Sequence, residues 1–122
     1  MKKRLMVVDD SQGTEIQIRT LLDNSGFEVA AYCENGEDAI RCYEEIQPDV
    51  VTMDIIMPGI DGLEAAQIIL QEHPDARIVV ISALHDDEAV HDAKAIGAMA
   101  FLHKPITREK LLQALSRAAE SV

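Results

Sequence analysis

Apolar positions along this chain fall into two alternating kinds of segment. Short β-branched runs at 4–8, 28–32, 50–53, 77–81 and 100–102 predict strands. After each run the spacing changes to that of one helical face. Ile18, Leu21 and Leu22 share a face, as do Ala39, Ile40, Tyr43 and Ile46, and then Leu63, Ala66, Ile69 and Leu70. Ala89, Val90, Ala93 and Ile96 make a fourth stripe of mostly small residues, and Leu111, Leu112, Leu115 and Ala119 a fifth. The third and fourth runs, Val-Val-Thr-Met and Ile-Val-Val-Ile, are apolar on both faces and belong at the centre of a sheet. Five strand–helix pairs predict an α/β chain of doubly wound (βα)5 type, a five-stranded parallel sheet covered by helices.

Local signals agree with these boundaries. Turn residues stand where strands and helices meet: Asn24-Ser25-Gly26, Asn35-Gly36, Gln47-Pro48-Asp49, His73-Pro74-Asp75 and Gly97. Asp61 is placed to cap the third helix and Thr107 the fifth, while Asp86-Asp87-Glu88 supplies an acidic first turn to the fourth. That fourth helix, near 88–96, is expected to be lightly anchored. No repeat, low-complexity tract or linker interrupts the alternation, so residues 1–122 are expected to form one domain.

Composition narrows the function. Eleven Lys and Arg oppose 22 Asp and Glu, a formal charge of −11 that repels nucleic acid and anionic lipid and favours cations or basic surfaces. Direct nucleic-acid binding and membrane insertion are therefore not expected, and no stretch has the length of a signal sequence or a span. A cytoplasmic location is expected. Cys33 and Cys42 stand in no metal or redox spacing, and read as small buried hydrophobes. His73, His85, His91 and His103 also lack ligand spacing and are expected on the surface or in loops.

In open parallel sheets ligands bind at the carboxyl ends of the strands. Here those ends carry Asp9-Asp10, Asp54, Ser82-Ala83 and His103-Lys104-Pro105. A central first strand beside the third brings three carboxylates into one small space, where mutual repulsion calls for a hard divalent cation such as Mg²⁺ or Mn²⁺. Taken singly, each residue has an ordinary reading. Asp9-Asp10 suits a solvated turn, Ser82 a local cap, Lys104 a surface pair and Phe101 a core aromatic. Asp54 decides between the readings, because an unpaired charge at the end of a buried strand is costly. Together the set fits phosphoryl transfer: Asp54 as nucleophile, Asp10 on the metal, Asp9 assisting through water, and Ser82 and Lys104 on phosphate oxygens.

The segments Val7-Val8-Asp9-Asp10, Met53-Asp54-Ile55-Ile56-Met57-Pro58-Gly59-Ile60-Asp61-Gly62, Ser82-Ala83 and Lys104-Pro105 resemble, in order and position, the marks of response-regulator receiver domains of two-component signalling. The resemblance covers nearly the whole chain and implies a flavodoxin-like fold. It implies that Asp54 takes phosphate from a sensor histidine kinase or phosphotransfer protein, with metal held by Asp9, Asp10, Asp54 and the backbone carbonyl of Ile56. It also implies a switch through Ser82 and Phe101 that reshapes a face for a downstream protein target, and a cis Lys104–Pro105 bond. A stand-alone, chemotaxis-like regulator is the expected form, with a fragment of a longer DNA-binding regulator as the alternative. Aliphatic Ile56 and Leu84 depart from the polar residues often found at these positions and predict slow self-dephosphorylation.

Two other classes compete. A flavodoxin-like electron carrier needs a hydroxyl- or glycine-rich phosphate cradle after the first strand, where this chain has two acids. An aspartate-nucleophile phosphatase places its two acids two residues apart after that strand, a spacing that Asp9-Asp10 lacks.

Overall fold

A computed structural model describes residues 2–84 and 87–120. Its elements alternate without exception: β1 (Lys3–Val8), α1 (Gln12–Leu21), β2 (Phe27–Cys33), α2 (Gly36–Ile46), β3 (Val50–Asp54), α3 (Gly62–Glu72), β4 (Ile78–Ser82), α4 (Asp87–Ile96), β5 (Ala100–His103) and α5 (Arg108–Glu120). All strand pairs are parallel, in the order β2-β1-β3-β4-β5. The expectations for His85 and Asp86 lie outside the described residues.

Strand alternation divides the core into two layers. Met6, Val8, Val51, Met53, Ile78 and Val80 point to the side covered by α2, α3 and α4. Leu5, Val7, Val50, Val79 and Ile81 point to the side covered by α1 and α5. β1, β3 and β4 are central and buried on both faces, which is why their sequences are continuous apolar runs. Thr52, in register with Val7 and Val79, brings a buried hydroxyl with no hydrogen-bond partner among the described residues.

The strands extend slightly past their apolar runs. β3 includes Asp54, β4 includes Ser82 and β5 includes His103, because ladder pairing continues after the hydrophobic side chains stop. α3 and α5 bury Ala66, Ile69, Leu111, Leu115 and Ala119 of the predicted stripes together with Ala65, Ala114 and Ala118, small residues that let the backbone approach the sheet. Asp61 caps α3 through a 2.8 Å bond from the Glu64 N–H, and Thr107 Oγ1 accepts from the Lys110 N–H at 3.3 Å. Only Ala89 and Ala93 of α4 are buried, against five residues of α5. Cys33 is buried at the end of β2, and that burial, with the neighbouring Cys42 thiol, pushes its pKa up to about 12. Among the described residues no helix is long and apolar enough to cross a membrane.

Candidate functional site

The parallel register of β1 and β3 pairs Val8 with Met53, so the next residues of each strand, Asp9 and Asp54, emerge side by side. Asp9, Asp10 and Asp54 each offer a carboxylate oxygen within 4.8 Å of the others. Asp9 and Asp54 are buried, with exposures of 2% and 6%, whereas Asp10 reaches solvent.

Asp9 is held from several directions. Its carboxylate accepts the Ser11 N–H at 2.9 Å and the Lys104 ammonium at 2.9 Å. Its own N–H donates to the Cys33 carbonyl at 3.0 Å, and its carbonyl accepts the Tyr32 hydroxyl at 2.8 Å. Sequence reasoning missed Tyr32. Strand alternation alone does not show that a side chain on β2 reaches back over the end of β1.

Lys104 also approaches Asp54, at a longer 3.5 Å. Its position depends on β5, since the Lys104 N–H donates to the Ser82 carbonyl at 2.9 Å, and the following bond to Pro105 is cis. Burial lowers the affinity of Lys104 for its proton, but the Asp9 hydrogen bond and the charges of Asp54 and Asp9 outweigh it and raise the pKa. Asp54 moves upward as well, first through burial and then through the Asp9 charge, with Lys104 only partly offsetting both. The single ammonium serves Asp9 better than Asp54. Two buried acids, a third at the rim and one lysine leave an excess of negative charge that a hard divalent cation would neutralise, and an all-oxygen donor set suits Mg²⁺.

The loop beyond β3 is tightly built. The Gly62 N–H donates to the Ile55 carbonyl at 2.8 Å, and a Cβ on Gly62 would sit 1.8 Å from the Asp54 carbonyl oxygen. Only glycine permits that approach at the first turn of α3. Met57 turns inward, while Ile56 is 57% exposed beside the acids.

Ser82 lies one strand over, fully buried, where its hydroxyl accepts the Leu84 N–H at 3.1 Å in a local turn. Among the described residues no hydrogen bond joins it to the acid cluster. Phe101 is half-buried on β5, with its ring 5.0 Å from that of His103, and His103 Nδ1 lies 3.0 Å from the Leu84 carbonyl oxygen. The structure thus brings together Asp9, Asp10, Asp54 and Lys104, and leaves Ser82 and Phe101 as neighbours with other partners.

Comparison with known proteins is consistent with this geometry. Residues 5–116 match the family described as the response regulator receiver domain. The chain is 40% identical to the chemotaxis protein CheY of Listeria monocytogenes, over 96% of this chain and 98% of the relative. It is 35% identical to CheY of Thermotoga maritima, over 98% and 100%. Among solved structures, the CheX–CheY–BeF₃–Mg²⁺ complex from Borrelia burgdorferi contains a chain that superposes with a TM-score of 0.92 at 32% identity, covering 98% of this chain and 90% of the other.

Proposed function

Because the chain belongs to the response regulator receiver domain family, we propose that Asp54 is its phosphoacceptor and that residues 1–122 work as one phosphorylation switch. The observation that carries this reading is the gathering of Asp9, Asp10 and Asp54 within 4.8 Å at the carboxyl end of the sheet, with Lys104 beside them. The phosphodonor is a phosphohistidine on a sensor histidine kinase or phosphotransfer protein. An Asp54 oxygen attacks phosphorus, a P–O bond forms, and the P–N bond to the donor imidazole breaks. The Lys104 ammonium, already near Asp54, takes up charge on a phosphoryl oxygen. Asp9, Asp10, Asp54 and the Ile56 carbonyl would hold Mg²⁺, which supplies charge neutralisation for the transferring group.

The product is an acyl phosphate on the protein itself, so the chain is a switch that assists its own phosphorylation rather than a turnover enzyme. On this reading Ser82 gives up its bond with the Leu84 N–H for one to a phosphate oxygen, which shifts the turn at Ala83 and Leu84. Phe101, half-buried on β5, follows on this reading. The face that would change carries exposed Met99 among Lys94, Lys110 and Arg117, a cationic, partly apolar surface on an acidic molecule, suited to a downstream protein with acidic groups. The named CheY relatives support a chemotaxis-type output.

Acetyl phosphate tests the acceptor. Stoichiometric labelling that requires Mg²⁺ and disappears in Asp54→Asn is expected. Labelling that survives in that variant would place the acceptor elsewhere, and multiple turnover of a phosphomonoester would favour a phosphatase.

A further inference from the structure

Leu84, two residues past Ser82, is held on both sides by polar contacts. Its N–H donates to the Ser82 hydroxyl at 3.1 Å, and its carbonyl oxygen lies 3.0 Å from Nδ1 of His103. A carbonyl can only accept, so in this contact Nδ1 carries the hydrogen. The second contact crosses from β4 to β5 and follows from register: Ser82 pairs with His103, and the Lys104 N–H donates to the Ser82 carbonyl at 2.9 Å. Strand alternation puts His103 on the same face of β5 as Phe101, where the two rings meet with centroids 5.0 Å apart and planes tilted by 54°. Leu84 and Phe101 both pack against the core layer under α2, α3 and α4. One imidazole therefore touches both the turn that follows Ser82 and the Phe101 ring.

We propose that His103 is a positioning residue of the switch, a latch that holds the turn at Ala83 and Leu84 in the resting form and releases it as Phe101 moves. When Ser82 exchanges its partner, the Leu84 N–H loses its acceptor and the turn shifts. That shift carries the Leu84 carbonyl away from Nδ1, and a hydrogen bond weakens steeply with such a change in distance and angle. With the carbonyl gone, Nδ1 no longer fixes the imidazole beside Phe101, and the two rings rearrange together.

The latch favours the resting form by the net worth of one hydrogen bond. His103 is exposed, so that worth is modest, about two- to tenfold in the equilibrium between the two forms. Any ligand that selects the switched form must overcome this factor, and a chain without the latch binds such a ligand more tightly. The switching role rests on the phosphoacceptor reading of Asp54 given above, whereas the bond to Leu84 does not.

The test titrates beryllofluoride, a mimic of the phosphoryl group, into the full chain at saturating Mg²⁺. Three forms are compared: the parent, His103→Leu, which keeps apolar bulk beside Phe101 without a donor, and His103→Asn, whose amide nitrogen replaces Nδ1 as donor. His103→Leu should bind beryllofluoride about two- to tenfold more tightly than the parent, and His103→Asn should return toward the parent value. Equal or weaker binding by His103→Leu would overturn the latch, because a merely structural contact lowers stability without favouring the bound form. An Asn variant that binds as tightly as the Leu variant would remove the hydrogen bond as the cause. Nitrogen NMR of the metal-free parent reads the bond itself. A neutral ring protonated at Nδ1 is expected, and one protonated at Nε2 would overturn the bond. A parent that binds no beryllofluoride would count against the acceptor reading instead, and the NMR result would still decide the contact with Leu84.

Discussion

Asp54 carries a charge that its surroundings disfavour. Burial and the Asp9 carboxylate raise its pKa, so the folded chain binds this proton more tightly than the unfolded chain does. The associated stability is fully present below the ordinary carboxylate range and is lost as pH rises through the raised folded value. Asp54→Asn should therefore be more stable than the parent at neutral pH without Mg²⁺, by about 1–3 kcal/mol. The gain should shrink as pH falls through that value, which urea melts across a pH series would show. A penalty of the opposite sign would mean that Lys104 stabilises the Asp54 carboxylate more than burial opposes it. Ile56 and Leu84 bear on a different property of the proposed acceptor. Exposed Ile56 and half-buried Leu84 offer an attacking water no hydrogen-bond guide, so polar residues at both positions should shorten the lifetime of the acyl phosphate by about tenfold. Decay of labelled protein measures this directly, and equal lifetimes would remove the aliphatic pair as the cause.

Among the elements, α4 is more weakly held than α3 or α5. It buries Ala89 and Ala93, whereas α3 buries Ala65, Ala66 and Ile69 behind Gly62, and α5 buries Leu111 and Leu115 with three alanines. Alanine removes little apolar surface from water, so α4 has less hydrophobic stabilisation to lose on opening. Amide exchange should be faster in α4 than in α3 or α5, and it should slow when Mg²⁺ and beryllofluoride are added together. Uniform protection across the three helices would argue against α4 as the moving element. The weakness was legible as a stripe of small residues. Its placement beside β5 and Phe101, which gives it a possible role in a switch, was not.

For the molecule as a whole, a charge of −11 and a cluster of carboxylates make cation binding a stability question. Mg²⁺ that binds only the folded chain raises the melting temperature in a saturable way, by linkage. Asp10→Asn should abolish most of that rise. Because Asp10 is exposed, the same substitution should change metal-free stability by no more than about 0.5 kcal/mol. A full Mg²⁺ response in this variant would take Asp10 out of the metal site.

The sequence by itself determined the five strand–helix pairs, because apolar periodicity reports burial wherever one face of an element must leave water. It also placed Asp9, Asp10, Asp54 and Lys104 at strand ends, and their nearness followed once β1 was put beside β3. The tertiary structure alone decided how the charges are shared: Lys104 pairs more closely with Asp9 than with Asp54. It likewise decided that Tyr32 and Cys33 anchor Asp9. These are contacts between side chains or backbone groups distant in the chain. They depend on register, strand length and rotamer, which hydrophobic patterning leaves open.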